Sequence, residues 1–181
     1  MKNNECNNKE YKLYNVIFPI FMLFIFNPFL LIFSLCGNFI IDSIVLLIIS
    51  FLFYKKLSLQ FYISNIFKVW LFGFFSDFVG LFYLIMVSLL SNASYYDGDD
   101  LGKQILSGVY SATNQSHFDS FWGFAFIMSG IIISAAIIFL MNYIFTFNKL
   151  DISKKQKLFS ALILAVSTAP YTFLLPKELF Y

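Results

Sequence analysis

Residues 71–86 read LFGFFSDFVGLFYLIM. Apart from Asp77, every residue in this run suits lipid or a helix-packing face. How that one carboxylate is accommodated decides how the chain is read.

Composition sets the solvent. The 181 residues are 60% hydrophobic and 12% charged, with a mean hydropathy of +0.78. A water-soluble domain carries about 25% charged residues. The surplus apolar surface calls for lipid. A net charge of +2, with no basic cluster beyond the flanks of the apolar runs, excludes a nucleic-acid surface. Every cationic residue is Lys, and Lys, Asn, Ile, Phe and Tyr are over-used, which reads as the drift of an AT-rich genome. A bacterial plasma membrane is the expected location. Cys6 and Cys36 stand alone without CxxC spacing, so neither a disulfide framework nor a zinc site is expected. No cofactor and no metal are expected.

A bilayer-spanning helix needs about 20 apolar residues. No charge lies between Lys12 and Asp42, and none between Asp119 and Lys149. The reading is an all-α integral membrane protein with about five transmembrane helices, at 14–36, 38–54, 66–91, 121–147 and 157–175. A tight turn at Cys36-Gly37-Asn38 makes the first two an antiparallel hairpin; the alternatives are a sixth span hidden in 57–67 or a first span split at Asn27-Pro28. Residues 1–12 are a polar cytoplasmic tail, 13–176 one transmembrane domain, 92–120 an external loop and 177–181 an external C-terminus. Residues 57–67, LSLQFYISNIF, are expected to lie along the inner interface and lead into the third span. The first apolar run is too long for the core of a cleaved signal peptide, and no small-residue cleavage site follows it.

Orientation follows from lysine. Lys2, Lys9, Lys12, Lys55, Lys56, Lys68, Lys149, Lys154, Lys155 and Lys157 fall on one side of this arrangement, leaving Lys103 and Lys177. The lysine-rich side is cytoplasmic. The N-terminus is then inside and the C-terminus outside.

Asp77 lies nine residues past Lys68, about 13 Å deeper at 1.5 Å per residue. That is near the midplane of a hydrocarbon core about 30 Å thick. Lys68 is half a turn out of phase and cannot pair with it. Trp70, Gly73, Asp77 and Gly80 share one stripe bordered by Ser76. Small residues on that stripe let a second helix approach closely. Asp77 is therefore expected to face protein.

Other polar groups are candidates for the same centre. Asp42 is placed in the first turn of the second span, on the face of Asn38. Asn142 lies in the fourth span, and Thr168 in the fifth beside Ser167, Pro170 and Thr172. Pro170 lacks an N–H and frees the carbonyl of Val166. Asp77, Ser76, Asp42, Asn142 and Thr168 are the ion or substrate candidates. Gly73, Gly80, Gly130 and Ser134 are the helix-packing candidates, the last two as Gly130-x-x-x-Ser134.

Two further elements are expected. In DDLGKQILSGVYSAT, residues Leu101, Ile105, Leu106 and Val109 form one helical face, with Asp99 or Asp100 as cap. Such a helix would rest on the outer leaflet. Ser153-x-x-Gln156 has the spacing of a capping box opening the last span.

Motifs for other chemistry are weak. Asp97-Gly98-Asp99-Asp100 lacks the order and the terminal glutamate of a calcium loop. His117 and Asp119 have no second His for zinc. No H-E-x-x-H, G-x-S-x-G or P-loop is present, so no enzyme activity is expected. Asp42 and Asp77 lack the G-x-G-D setting of an intramembrane protease. In size and span count the chain resembles the small substrate-binding membrane subunits of vitamin uptake systems in Gram-positive bacteria. The small-x-x-x-small run that their first helix uses for docking is absent from 14–36, and the resemblance carries no residue roles.

Two functional expectations follow. One is a small transporter or ion-coupled membrane component with Asp77 as its intramembrane polar centre. The other is a non-catalytic assembly or accessory subunit that docks a partner through the Gly73/Gly80 face. Expected partners are the lipid bilayer and either other membrane proteins or a second copy of the chain.

Overall fold

In lipid, every backbone N–H and C=O must be bonded within the protein, so an apolar chain stays helical until something polar can take over. The computed structural model describes residues 28–54, 59–94, 101–114, 120–148, 150 and 152–175. Helix α1 runs Pro28–Tyr54, α2 Leu59–Ser94 and α3 Leu101–Asn114. Helix α4 runs Phe121–Met141 and continues as a π-helix, Asn142–Phe147. Helix α5 runs Lys154–Thr168 and is followed by a 3₁₀ turn, Tyr171–Leu174. Among the described residues there is no strand. Four segments are long and apolar enough to cross a membrane: Leu35–Phe53, Leu59–Ser91, Phe121–Phe147 and Lys154–Leu174.

The expected hairpin at Cys36-Gly37-Asn38 is not formed. Residues 28–54 are one helix that passes through all three. Gly in a helix costs only about 1 kcal/mol relative to Ala, less than the backbone groups a turn would expose to lipid. The apolar residues on both sides therefore keep the helix going. Described spans number four, not five, and 14–27 lies outside the described residues. A second correction follows at once. Asp42 is not in a first turn; it is fourteen residues into α1 and only 2% exposed.

Residues 59–67 lead directly into the next span, as expected. They are the first turns of α2, and Phe61 and Ile66 are buried in the bundle. Asn65 bonds its own helix, its Nδ2 donating to the Phe61 carbonyl at 2.8 Å. Helix α3 forms where expected, with Val109 of the expected face buried and Ile105 and Leu106 half-buried. Leu101 is exposed, while Gly108, Val109 and Ala112 are buried against α4. A Cβ at Gly108 would collide with Trp122. So α3 is a packed part of the bundle. Its expected caps, Asp99 and Asp100, lie outside the described residues, as do His117 and Asp119.

The capping box is present in full: Ser153 Oγ accepts from the Gln156 N–H, and Gln156 Oε1 accepts from the Ser153 N–H at 3.0 Å. The far end of α5 obeys proline. Ala169, before Pro170, is extended at ψ 149°, because the ring disfavours the helical region for the preceding residue.

Two apolar clusters fill the bundle. One joins Leu46 and Ile49 of α1, Val69 of α2, Ile138 of α4, Phe147 and Leu164 of α5. The other joins Leu84 of α2, Val109 of α3, Ile127 and Ile131 of α4, and Phe173. Between them lies a polar waist: Asn38 and Asp42 precede the first cluster on α1, Gly73 to Gly80 separate the two on α2, Ser134 on α4, and Ser167 and Thr168 on α5. The outward faces are the reverse. Phe74, Phe78 and Phe82 on α2, and Ile132 and Leu140 on α4, are exposed apolar residues, a surface suited to lipid or to another protein. Among the described residues the fold is all-helical, with four helices long and apolar enough to span a membrane.

Candidate functional site

The site begins with two helical repeats meeting head to tail. Asn38 and Asp42 are one turn apart on α1; Gly73 and Asp77 are one turn apart on α2. The antiparallel packing of α1 on α2 sets Asn38 against Asp77 and Asp42 against Gly73. Asn38 Nδ2 donates to Asp77 Oδ2 at 2.9 Å. Asp42 Oδ2 stands 3.4 Å from where a Cβ on Gly73 would be, so glycine here makes room for a carboxylate rather than for a helix backbone. The contact is clamped one turn further on, where Trp70 Nε1 donates to the Leu35 carbonyl at 3.1 Å and its ring meets Phe39 edge-on.

Neither carboxylate is fully satisfied. Asp42 Oδ2 and Asp77 Oδ1 are both buried and have no hydrogen-bond partner. Of the lysines near the bundle, Lys68, Lys154 and Lys155 are exposed, and Lys157 Nζ donates to the Asn148 carbonyl. An isolated buried charge is costly.

Helix α5 supplies the third wall. A cleft of about 120 Å³ is lined by Asn38, Ile41 and Asp42 from α1 and by Ser167 to Thr172 at the broken end of α5. The interruption therefore falls beside Asp42. Thr168 lines this cleft, with its Oγ1 donating to the Leu164 carbonyl at 2.9 Å. The carbonyl of Val166, expected to be free, is taken: Tyr171 folds back and its hydroxyl donates to it at 2.6 Å.

The remaining candidates go elsewhere. Ser76 is buried, but it faces α4: its hydroxyl donates to the Gly73 carbonyl at 3.3 Å, and its own carbonyl accepts from Ser134 Oγ at 3.1 Å. Gly80 packs on the same face of α4, where a Cβ would collide with Ser134 Oγ and stand 3.0 Å from the Gly130 carbonyl. Gly130 in turn receives the Leu84 side chain. Asn142 is fully buried in its own helix, donating to the Ile138 carbonyl at 3.0 Å and accepting from Thr146 Oγ1 at 2.9 Å. It belongs to the π-helix and the adjoining apolar cluster, not to the Asp77 site.

Asn38 is the partner that sequence reasoning did not assign. It stands one turn from Asp42, and was read as the first residue of a span, on the face of Asp42 but without a partner. Tyr171 was missed because proline's freed carbonyl has no sequence signature for the group that fills it. No family model, no curated protein and no solved structure matches this chain.

Proposed function

We propose that this is a multi-pass protein of a bacterial plasma membrane that binds a small cation at the Asp42–Asp77 pair, as a small transporter or an ion-coupled membrane component. The observation that carries this reading is the pair of unpartnered buried oxygens, Asp42 Oδ2 and Asp77 Oδ1, on facing helices in the polar waist. A charge at mid-bilayer costs about 2.5–3.5 kcal/mol on insertion scales. Two such groups without a built-in cation are explained by one that comes and goes.

Lysine distribution supports the orientation. Lys55 and Lys56 precede α2, and Lys149 to Lys157 follow α4. One crossing by α2 and one by α4 separate these connections, so both fall on one side however many spans precede α1. That side is cytoplasmic. The segment 92–120 is then external.

The docking reading has less support. Its Gly73/Gly80 face is covered by this chain's own Asp42 and Ser134. A partner would have to use another face.

The test is ion flux in proteoliposomes under an imposed pH or Na⁺ gradient. Wild-type protein should dissipate one of the gradients, and Asp42→Asn with Asp77→Asn should not. Equal flux in wild type and double variant would reject the reading.

A further inference from the structure

The end of α5 adds something that a carboxylate pair alone does not. We infer that the cleft between Asp42 and the C-terminal end of α5 is a binding site for a partly dehydrated alkali-metal cation, Na⁺ in particular, with Asp42 as its anchoring ligand. This rests on the cation reading above and names the ion and its place.

Three observations meet there. Asp42 lines the cleft and is 2% exposed, and its Oδ2, which faces Gly73, has no partner. The second is the break itself. Helix α5 has fifteen residues, a rise of about 22 Å at 1.5 Å per residue, which is short of a 30 Å core. The regular helix stops beside Asp42, and the apolar segment goes on to Leu174. Non-helical backbone at membrane depth is tolerated where it is buried in protein or lines a watered cavity. The third is polarity. A helix C-terminus carries about half a negative charge and a set of unpaired carbonyls. Broken helices in membranes use such ends to coordinate cations. Here two of the last carbonyls, Leu164 and Val166, are bonded by Thr168 and Tyr171. The Ala169 and Pro170 carbonyls also accept, from the Tyr171 and Phe173 N–H groups, which leaves the carbonyls of Ser167 and Thr168 at the end of the helix for a ligand.

The chemistry selects the occupant. The lining offers a carboxylate, a side-chain amide, hydroxyls of Ser167, Thr168 and Thr172, and peptide carbonyls. These are hard oxygen ligands, which suit hard cations and not soft metals. One carboxylate plus neutral oxygens matches a single positive charge. A space of about 120 Å³ holds the ion with a few waters, at about 30 Å³ of liquid volume per water. An organic solute of vitamin size does not fit. Asp77, held by Asn38 one turn away, lies behind this site and not in its lining.

The test uses the purified full-length chain in detergent, titrated with NaCl against choline chloride at constant ionic strength. Thermal stability is read together with carbodiimide modification of Asp42, mapped by mass spectrometry. At a hundredfold excess over its Kd, Na⁺ should raise Tm by about 5–10 °C and protect Asp42 from modification. Asp42→Asn should abolish the Tm response. Thr168→Val, which keeps the side-chain shape, should raise the Na⁺ concentration needed at least fivefold. If Asp42→Asn retains the response and Asp77→Asn loses it, the ion sits between α1 and α2, and the inference fails. If no alkali cation changes Tm or labelling and pH alone governs modification, the inference also fails, while a proton-handling carboxylate pair survives.

Discussion

Asn38 donates its side-chain amide to Asp77 across the α1–α2 contact at 2.9 Å, joining two residues thirty-nine positions apart. Among the described residues it is the side-chain hydrogen bond that reaches Asp77, so Asn38 orients its carboxylate. Removing it should be felt. Asn38→Leu leaves Asp77 without a donor, and an unsatisfied buried polar group costs about 1–3 kcal/mol. Asn38→Leu with Asp77→Leu removes both partners and should recover most of that loss. A double-mutant cycle on thermal or denaturant stability in detergent measures the coupling. Additive effects would mean that the bond contributes nothing.

The two glycines on neighbouring helices should behave in opposite ways. Gly80→Ala drives a methyl into Ser134 Oγ and towards the Gly130 carbonyl at 3.0 Å, which is backbone and cannot step aside. Overpacking of this kind costs about 1–3 kcal/mol. Gly37→Ala meets nothing within 4 Å. In a continuous helix it should be neutral or stabilising by about 0.5–1 kcal/mol. Comparing the melting of the two variants also tests α1: a strongly destabilising Gly37→Ala would restore the tight turn that the helix replaces.

Legibility in the sequence followed the physics of each signal. Long charge-free runs place α4 almost to the residue, because nothing in 121–147 competes with helix. Ser153 and Gln156 form their box because that signal is local. The stripe Gly73-Asp77-Gly80 was readable because helical periodicity alone brings it together. What the stripe touches was not, since Asp42 covers Gly73 and Ser134 covers Gly80 through contacts remote in sequence. The reading went wrong at Cys36-Gly37-Asn38, where residues that turn a chain in water were weighed by their preferences in water. In an apolar setting the same Gly stays helical, and the Asn spends its amide on Asp77.

Topology can be checked without knowing the ion. A periplasm-active reporter fused after residue 100 should be active, and one fused after residue 152 should be silent. The lysines flanking α2 and α4 determine this expectation. The opposite pattern would turn the bundle over and put the open end of α5 towards the cytoplasm.

Stability and function should separate at Asp77. Asp77→Asn preserves shape, leaves room for the Gly73 contact and removes the possibility of a buried charge, so membrane level should be unchanged and thermal stability equal or higher. Asp77→Leu should be worse, by about 1–3 kcal/mol, because it strands the Asn38 amide and crowds the α1–α2 contact. If Asp77 shares the cation or its proton with Asp42, the Asn variant should lose gradient dissipation in proteoliposomes while melting no lower than wild type. Functional charges are kept at the expense of stability, so this opposite movement is their signature. A packing role predicts something else: Asn would be silent in flux and in melting alike. Measuring both quantities on one purified variant decides between them, and full flux in Asp77→Asn removes Asp77 from the functional centre and leaves Asp42 alone at the cleft.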